Sequence, residues 1–246
     1  YRISQIYSPQ TIKIPTDQDR KYLFPHDNAI FYAYGRHALF NGLKSIGVTK
    51  GDKILIPSLV CRDLLSSLNQ LGIYPVYYDV DKKLNPKLNS NQFASVKAVL
   101  VINYFGFPQN LIPIFEFCEG TGCILIEDNA HGFLSRDNNG EVLGTRGDLG
   151  IFSFRKTVPL FHGAALYIQD KTKFITIPGQ LEYYDYKSLY YSCKEVIRKA
   201  FPIIGISGIK MISKFIRLIR KLRTGHFVTV SDIDDEICLP IDSKPS

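Results

Sequence analysis

The sequence has no tryptophan, no CxxC pair and no segment built like a secretory signal. Each absence removes a class. Its five cysteines (Cys61, Cys118, Cys123, Cys193 and Cys238) are odd in number and irregular in spacing. They therefore suggest neither a disulfide framework nor a zinc site, and reduced thiols in a cytoplasmic protein are the plain reading. No charged n-region leads into an apolar h-region and a small-residue cleavage site, so export is not expected. The chain begins at Tyr1 rather than Met and ends on the polar, proline-containing "LPIDSKPS". The expectation is a fragment of a longer protein.

What is present is ordinary for a globular chain. With 246 residues, 45% of them hydrophobic and 22% charged, it can bury one substantial core. Fifteen Tyr and sixteen Phe make it rich in aromatics without being diagnostic. The net charge of +7 is local: between Lys194 and Arg223 nine basic residues face one acid, Glu195. That segment carries +8 and leaves the rest of the chain at −1. The excess charge says little about the main domain.

Hydrophobic periodicity predicts alternating helices and strands. "HALFNGLKSIGV" (37–48), "CRDLLSSLNQLG" (61–72) and "LIPIFEFCEGTG" (111–122) have helical spacing, the last two with a glycine exit. "KILIPS" (53–58), "YPVYYDV" (74–80), "VKAVLVINYFG" (96–106), "CILIEDNAHG" (123–132), "LGIFSF" (149–154) and "GAALYIQ" (163–169) read as strands. Continuous apolar runs of this kind belong to strands covered on both faces. The pattern predicts an α/β fold: a mostly parallel sheet with helices on both faces.

Ligands in such sheets sit beyond the carboxyl ends of the strands. The residues there are "PSLVC", "NYFGFP", "EDNAHG" and "SFRKTVPL". Gly35, in "YGRHAL", would open a helix whose free amides and dipole favour an anion, although a plain turn fits as well. "LIEDNAHG" delivers Glu127 and Asp128 to the end of a buried strand, where a carboxylate needs a cationic partner. A protonated pyridine nitrogen is one such partner, and His131 would lie beside the same ligand. The competing reading is an Asp that caps the next helix, with a surface His.

In order, the motifs "GRHAL", "GVTKGDKILIPSLVC", "GIYPVYYDVD", "VINYFGFP", "LIEDNAHG" and "LGTRGDLGIFSF" resemble the DegT/StrS-type sugar aminotransferases. These are fold-type I proteins dependent on pyridoxal 5'-phosphate. The resemblance runs from about Gly35 to about Ile168, over half of the chain. It implies a fold-type I large domain with the C-terminal small domain largely missing. It places Gly35, Arg36 and His37 where the family holds the cofactor phosphate on a backbone turn. Asp128 matches the carboxylate that pairs with the pyridine nitrogen, which keeps the ring an electron sink. His131 matches a position near the ring hydroxyl, and Ser153 the serine that contacts the phosphate.

Two positions depart from the family pattern. Cys61 stands where an aromatic residue commonly stacks on the ring, with Tyr104 or Phe105 as substitutes. The family lysine comes five residues after the serine, and here that position is Val158. Transamination needs an amine that links to the cofactor and moves a proton, which valine cannot do. Lys156 lies two residues earlier. In an extended segment residues two apart share a face at roughly 6.6 Å, so its side chain would span to the same place. Three readings stay open: a displaced catalytic Lys156, a cradle that binds the cofactor without a covalent link or has lost it, and Arg155 and Lys156 as solvated or phosphate-facing charges. His162 is a further candidate base.

From Ile209 to Leu222, apolar residues recur every three or four positions, with Lys210, Lys214, Arg217 and Lys221 opposite. That amphipathic pattern reads as a helix packed on the main domain, or as a surface for anionic membranes or phosphates over 209–223. Nothing suggests nucleic-acid recognition. The expected organisation is an N-terminal extension (1–30), the large domain (31–190), the basic segment (191–226) and the start of a C-terminal part (227–246). The resemblance further implies a homodimer, a keto-sugar nucleotide as acceptor and an amino acid such as glutamate as donor. The function it implies is amino transfer in polysaccharide or amino-sugar biosynthesis. A catalytically degenerate binding subunit and a membrane-associated accessory protein are the alternatives.

Overall fold

The computed structural model describes residues 28–88, 95–158 and 163–174, with 176 and 178. The basic segment, His162 and the C-terminal part lie outside them. Eight strands form one sheet in the order β1-β8-β7-β6-β5-β2-β3-β4. They are β1 (Ala29–Tyr32), β2 (Lys53–Pro57), β3 (Tyr74–Val80), β4 (Pro86–Lys87), β5 (Ala98–Ile102), β6 (Ile124–Asn129), β7 (Leu149–Ser153) and β8 (Ala164–Ile168). The pairs β2–β3, β2–β5, β5–β6 and β6–β7 are parallel. The pairs β1–β8, β3–β4 and β7–β8 are antiparallel. The mixed α/β sheet with a parallel centre is the fold-type I arrangement the motifs imply.

Side-chain alternation divides two layers. Ile54, Ile56, Leu100, Ile126, Ile151 and Leu166 point to one face, against Leu39 and Leu43 of helix α1 (Gly35–Ser45) and Leu68 of helix α2 (Leu65–Leu71). Leu55, Val99, Val101 and Leu125 point to the other, against Ile114 and Phe117 of helix α3 (Ile112–Thr121). Every residue of β5 is buried, as expected of "AVLVI" in the middle of a two-faced sheet. Each such aliphatic side chain contributes about 1.5–3 kcal/mol when withdrawn from water. Gly72 and Gly122 end α2 and α3 in the left-handed conformation, at φ 67° and 71°.

Chain direction across the sheet explains where a ligand can enter. From β2 the chain steps one way to β3, whereas β5, β6 and β7 step the other way. The C-terminal ends of β2 and β5 therefore flank a switch point, where loops diverge and leave a crevice. The loop before β7 is pinned to the strand without side chains. A Cβ on Gly150 would lie 1.7 Å from the carbonyl oxygen of Gly144, and Gly144 itself has φ +89°. Both glycines are required by this close approach.

Candidate active site

Residues from four strand ends and one helix start line a cavity of about 160 Å³. Leu59 and Cys61 follow β2, Tyr104 follows β5, Asp128 is the last residue but one of β6, and Ser153 closes β7. Gly35 and Arg36 open α1, and Arg155 and Lys156 follow Ser153. The structure thus brings Gly35, Arg36, Cys61, Asp128, His131, Ser153 and Lys156 to one place. His37 is not among the lining residues. It is fully buried, and its ring meets Tyr34 edge-on at 5.5 Å.

Neighbouring carboxylates on β6 have different fates because successive strand residues face opposite sides. Glu127 is fully buried away from the cavity. It accepts hydrogen bonds from Arg146 Nε at 2.9 Å, from the terminal nitrogen of the same guanidinium, from the Arg146 amide at 3.1 Å and from Asn103 Nδ2 at 2.8 Å. That network supplies the cation that a buried carboxylate requires. Arg146 was present in the "LGTRGDLGIFSF" motif, but spacing alone does not show that it reaches back to β6.

Asp128 faces the cavity. Its Oδ1 accepts from the Ala130 amide at 2.9 Å, and it has no ion-pair partner among the described residues. Burial pushes its carboxyl above the ordinary value, opposed by that amide and by the positive charge of Lys156. His131 moves the other way: burial and the nearby Lys156 lower it, and Asp128 opposes them. An uncharged imidazole results at neutral pH. In the tautomer protonated at Nδ1, its Nε2 accepts from the Lys156 amine at 3.2 Å. Phe105 stacks on the same imidazole, 6.1 Å between centroids. Tyr104, not Phe105, lines the cavity. Its hydroxyl donates to the Leu59 carbonyl at 2.7 Å, and burial beside Asp128 raises it to about 12.

The segment after Ser153 is not extended, which corrects the geometry expected from the sequence. Phe154–Lys156 form a 3-10 turn, and the amides of Thr157 and Val158 both donate to the Phe154 carbonyl, at 3.0 and 2.7 Å. In a 3-10 turn residues two apart are rotated about 120° from each other rather than sharing a side. Lys156 accordingly lines the cavity and Val158 does not.

These residues fit pyridoxal 5'-phosphate in character. Asp128 lacks a cation, which a protonated pyridine nitrogen supplies. The first two amides of α1, on Gly35 and Arg36, have no hydrogen-bond partner among the described residues, and Ser153 adjoins them: a Cβ on Gly35 would sit 3.8 Å from that of Ser153.

Residues 19–173 match the DegT/DnrJ/EryC1/StrS aminotransferase family, and the chain belongs to it. A dTDP-4-dehydro-2,3,6-trideoxy-D-glucose 4-aminotransferase of Saccharopolyspora spinosa is 34% identical over 132 residues, covering 52% of this chain and 34% of its own. The aminotransferase TlmJ of Streptoalloteichus hindustanus is similar in structure, with a TM-score of 0.53 at 29% identity over 59% of this chain and 41% of its own. A GDP-4-keto-6-deoxymannose-3-dehydratase, solved with a trapped PLP-glutamate geminal diamine, gives a TM-score of 0.56 at 25% identity over 62% and 42%. The chain spans between a third and a half of the length of these proteins.

Proposed function

We propose that the protein is a pyridoxal-phosphate-dependent sugar aminotransferase, moving an amino group from an amino acid such as glutamate to a keto-sugar nucleotide. The observation that carries this is the position of Lys156. Its amine lines the same cavity as Asp128 and Ser153 and lies 3.2 Å from His131. Family membership and the relatives named above support the substrate class and the cofactor. The expected homodimer rests on the resemblance, and the expected cytoplasmic location on the reading of the cysteines as reduced thiols. No helix among the described residues is long and apolar enough to cross a membrane.

Pyridoxal phosphate, when bound, supplies an aldehyde for amine exchange and a ring that withdraws electrons from the reacting carbon. The protein's own groups do the rest. Asp128, left without a cation by the fold, pairs with the pyridine nitrogen and holds its proton. The Gly35 and Arg36 amides and the Ser153 hydroxyl bind the phosphate. Lys156 provides the amine that family members place two residues later. His131, uncharged at neutral pH, accepts a hydrogen bond from that amine at Nε2 and so fixes the direction of the lysine side chain. Cys61 leaves one wall of the cavity without a flat aromatic contact, and Tyr104, locked through Leu59, borders it instead.

Borohydride reduction of the full chain loaded with pyridoxal phosphate, followed by peptide mass spectrometry, tests the assignment. The adduct is expected on Lys156 and absent in Lys156→Ala. An adduct on another lysine, or none, refutes the role of Lys156.

A further inference from the structure

At the opposite end of β6 from Asp128, two cysteines meet. Cys118 stands in the last turn of α3 and Cys123 immediately before β6, and their Sγ atoms lie 3.3 Å apart. Neither lines the active-site cavity, so the pair is independent of the cofactor chemistry proposed above. From a separation of 3.3 Å, reaching the disulfide length of about 2.05 Å takes an approach of about 1.2 Å. The connection that must yield is short and open: a Cβ at Gly120 or at Gly122 would meet nothing within 4 Å. Cys123 is 6% exposed and Cys118 is half-buried, so a small oxidant reaches the pair where a bulky one is held off.

The two sulfurs do not hold their protons equally. Cys118 stands at the carbonyl end of a helix, where the dipole opposes a negative charge. Once Cys123 has lost its proton, the Cys118 thiol is the donor between them. That hydrogen bond brings Cys123 down to about 7, helped by Thr121 and opposed by burial and Asp148. The same contact, together with burial and Asp148, pushes the Cys118 thiol up. A thiolate touching a thiol is the reactant pair of peroxide-driven disulfide formation.

We infer that Cys118 and Cys123 are an oxidative modification site, which hydrogen peroxide closes to an intrachain disulfide joining the end of α3 to the start of β6. The Cys123 thiolate attacks one peroxide oxygen and the O–O bond breaks. Cys123 becomes a sulfenic acid, and the departing hydroxide takes up the proton that Cys123 gave to solvent. The Cys118 sulfur then attacks the Cys123 sulfur. The S–O bond breaks, and the hydroxyl leaves as water with the Cys118 proton. Two thiols and one peroxide thus become one disulfide and two waters, with two electrons passing from sulfur to oxygen. In a reducing compartment the dithiol is the resting state and the disulfide a transient one, in keeping with the reduced thiols expected from the sequence.

The test treats the reduced full chain with hydrogen peroxide, blocks the remaining thiols with iodoacetamide, and reads the peptides by mass spectrometry without reductant. The peptide holding both cysteines is expected to be two hydrogens lighter than its reduced form, with neither sulfur alkylated. Dithiothreitol should return both thiols to alkylation. Cys118→Ser and Cys123→Ser should each abolish the two-hydrogen change. In Cys118→Ser, which keeps a hydroxyl donor beside Cys123, dimedone should capture the sulfenic acid on Cys123. Two alkylated sulfurs on that peptide after peroxide would overturn the inference, as would a disulfide from either cysteine to Cys61, Cys193 or Cys238. Passage of either sulfur to sulfinic acid without the disulfide would overturn it too, because the second sulfur would then fail to reach the first. These readings use the unaltered chain and hold whether or not the serine variants fold. No dimedone adduct on Cys123 in a Cys118→Ser chain of preserved circular dichroism would overturn the assignment of Cys123 as the attacking sulfur.

Discussion

Replacing Arg146 by Met removes the cation from a fully buried carboxylate while keeping an apolar stem of similar length. Glu127 then retains the Asn103 side chain and the amide of residue 146 as donors, and loses the Nε contact at 2.9 Å and the terminal guanidinium contact. Asn103 Oδ1 loses its guanidinium donor at 3.2 Å, and the Gln109 carbonyl loses one at 3.4 Å. Two charge-assisted hydrogen bonds at about 1.5–3 kcal/mol each give roughly 3–6 kcal/mol. Breaking one side of a buried ion pair costs about 3–5 kcal/mol by direct comparison. The two routes agree, so the urea midpoint should fall by an amount equivalent to about 3–5 kcal/mol. The double variant Glu127→Gln/Arg146→Met, with no buried charge left unpaired, should recover part of that loss. The reasoning is refuted if Arg146→Met lies within about 0.5 kcal/mol of the parent, the range of an inert surface change. It is equally refuted if the double variant is less stable than the single one.

Three further outcomes follow from the same structure. Asp128→Asn should make the cofactor-free chain more stable at pH 7. Burial raises the folded-state value of Asp128 above 3.8, so the folded chain holds that proton more tightly than the unfolded chain does. Stability from this group is therefore present below 3.8 and is lost as pH rises through the raised value, whereas asparagine has no proton to lose. Urea melts at pH 7 and at the acid end check this, and a less stable Asp128→Asn at pH 7 contradicts it. Gly150→Ala should cost about 3 kcal/mol or more, because its Cβ would collide with a backbone carbonyl that cannot turn aside. Gly120→Ala meets nothing within 4 Å and should gain about 0.4–1 kcal/mol by stiffening the unfolded chain. Paired denaturant curves read both, and equal shifts in the two variants would defeat the argument.

Much of the fold is visible in hydrophobic runs. "YPVYYDV" coincides with β3 over Tyr74–Val80, and the glycine exits after α2 and α3 fall at Gly72 and Gly122. β1 escaped notice because "AIFY" is only four residues long and is held by its antiparallel partner β8, not by its own pattern. At the site, Asp128 stands out because strand alternation and burial are local properties. The pairing of Glu127 with Arg146 joins residues nineteen apart through a loop whose path depends on the Gly144–Gly150 contact. The segment carrying Lys156 reads as extended for a related reason: a single turn after a strand leaves too few residues to set a period. Tyr34 and Arg155 stand in the stretches "YGRHAL" and "SFRKTVPL", but spacing alone does not show that Arg155 reaches the Tyr34 ring.

The turn that carries Lys156 closes its own hydrogen bonds on the Phe154 carbonyl, outside the sheet. Its side-chain sequence can therefore change while the strands beneath keep their pairing. Selection for expression or thermal resistance would scarcely register such changes, although they decide which residue presents an amine to the cavity. Variant libraries at 155–158 would thus separate chemistry from fold, and sorting them calls for a readout of cofactor attachment instead of solubility.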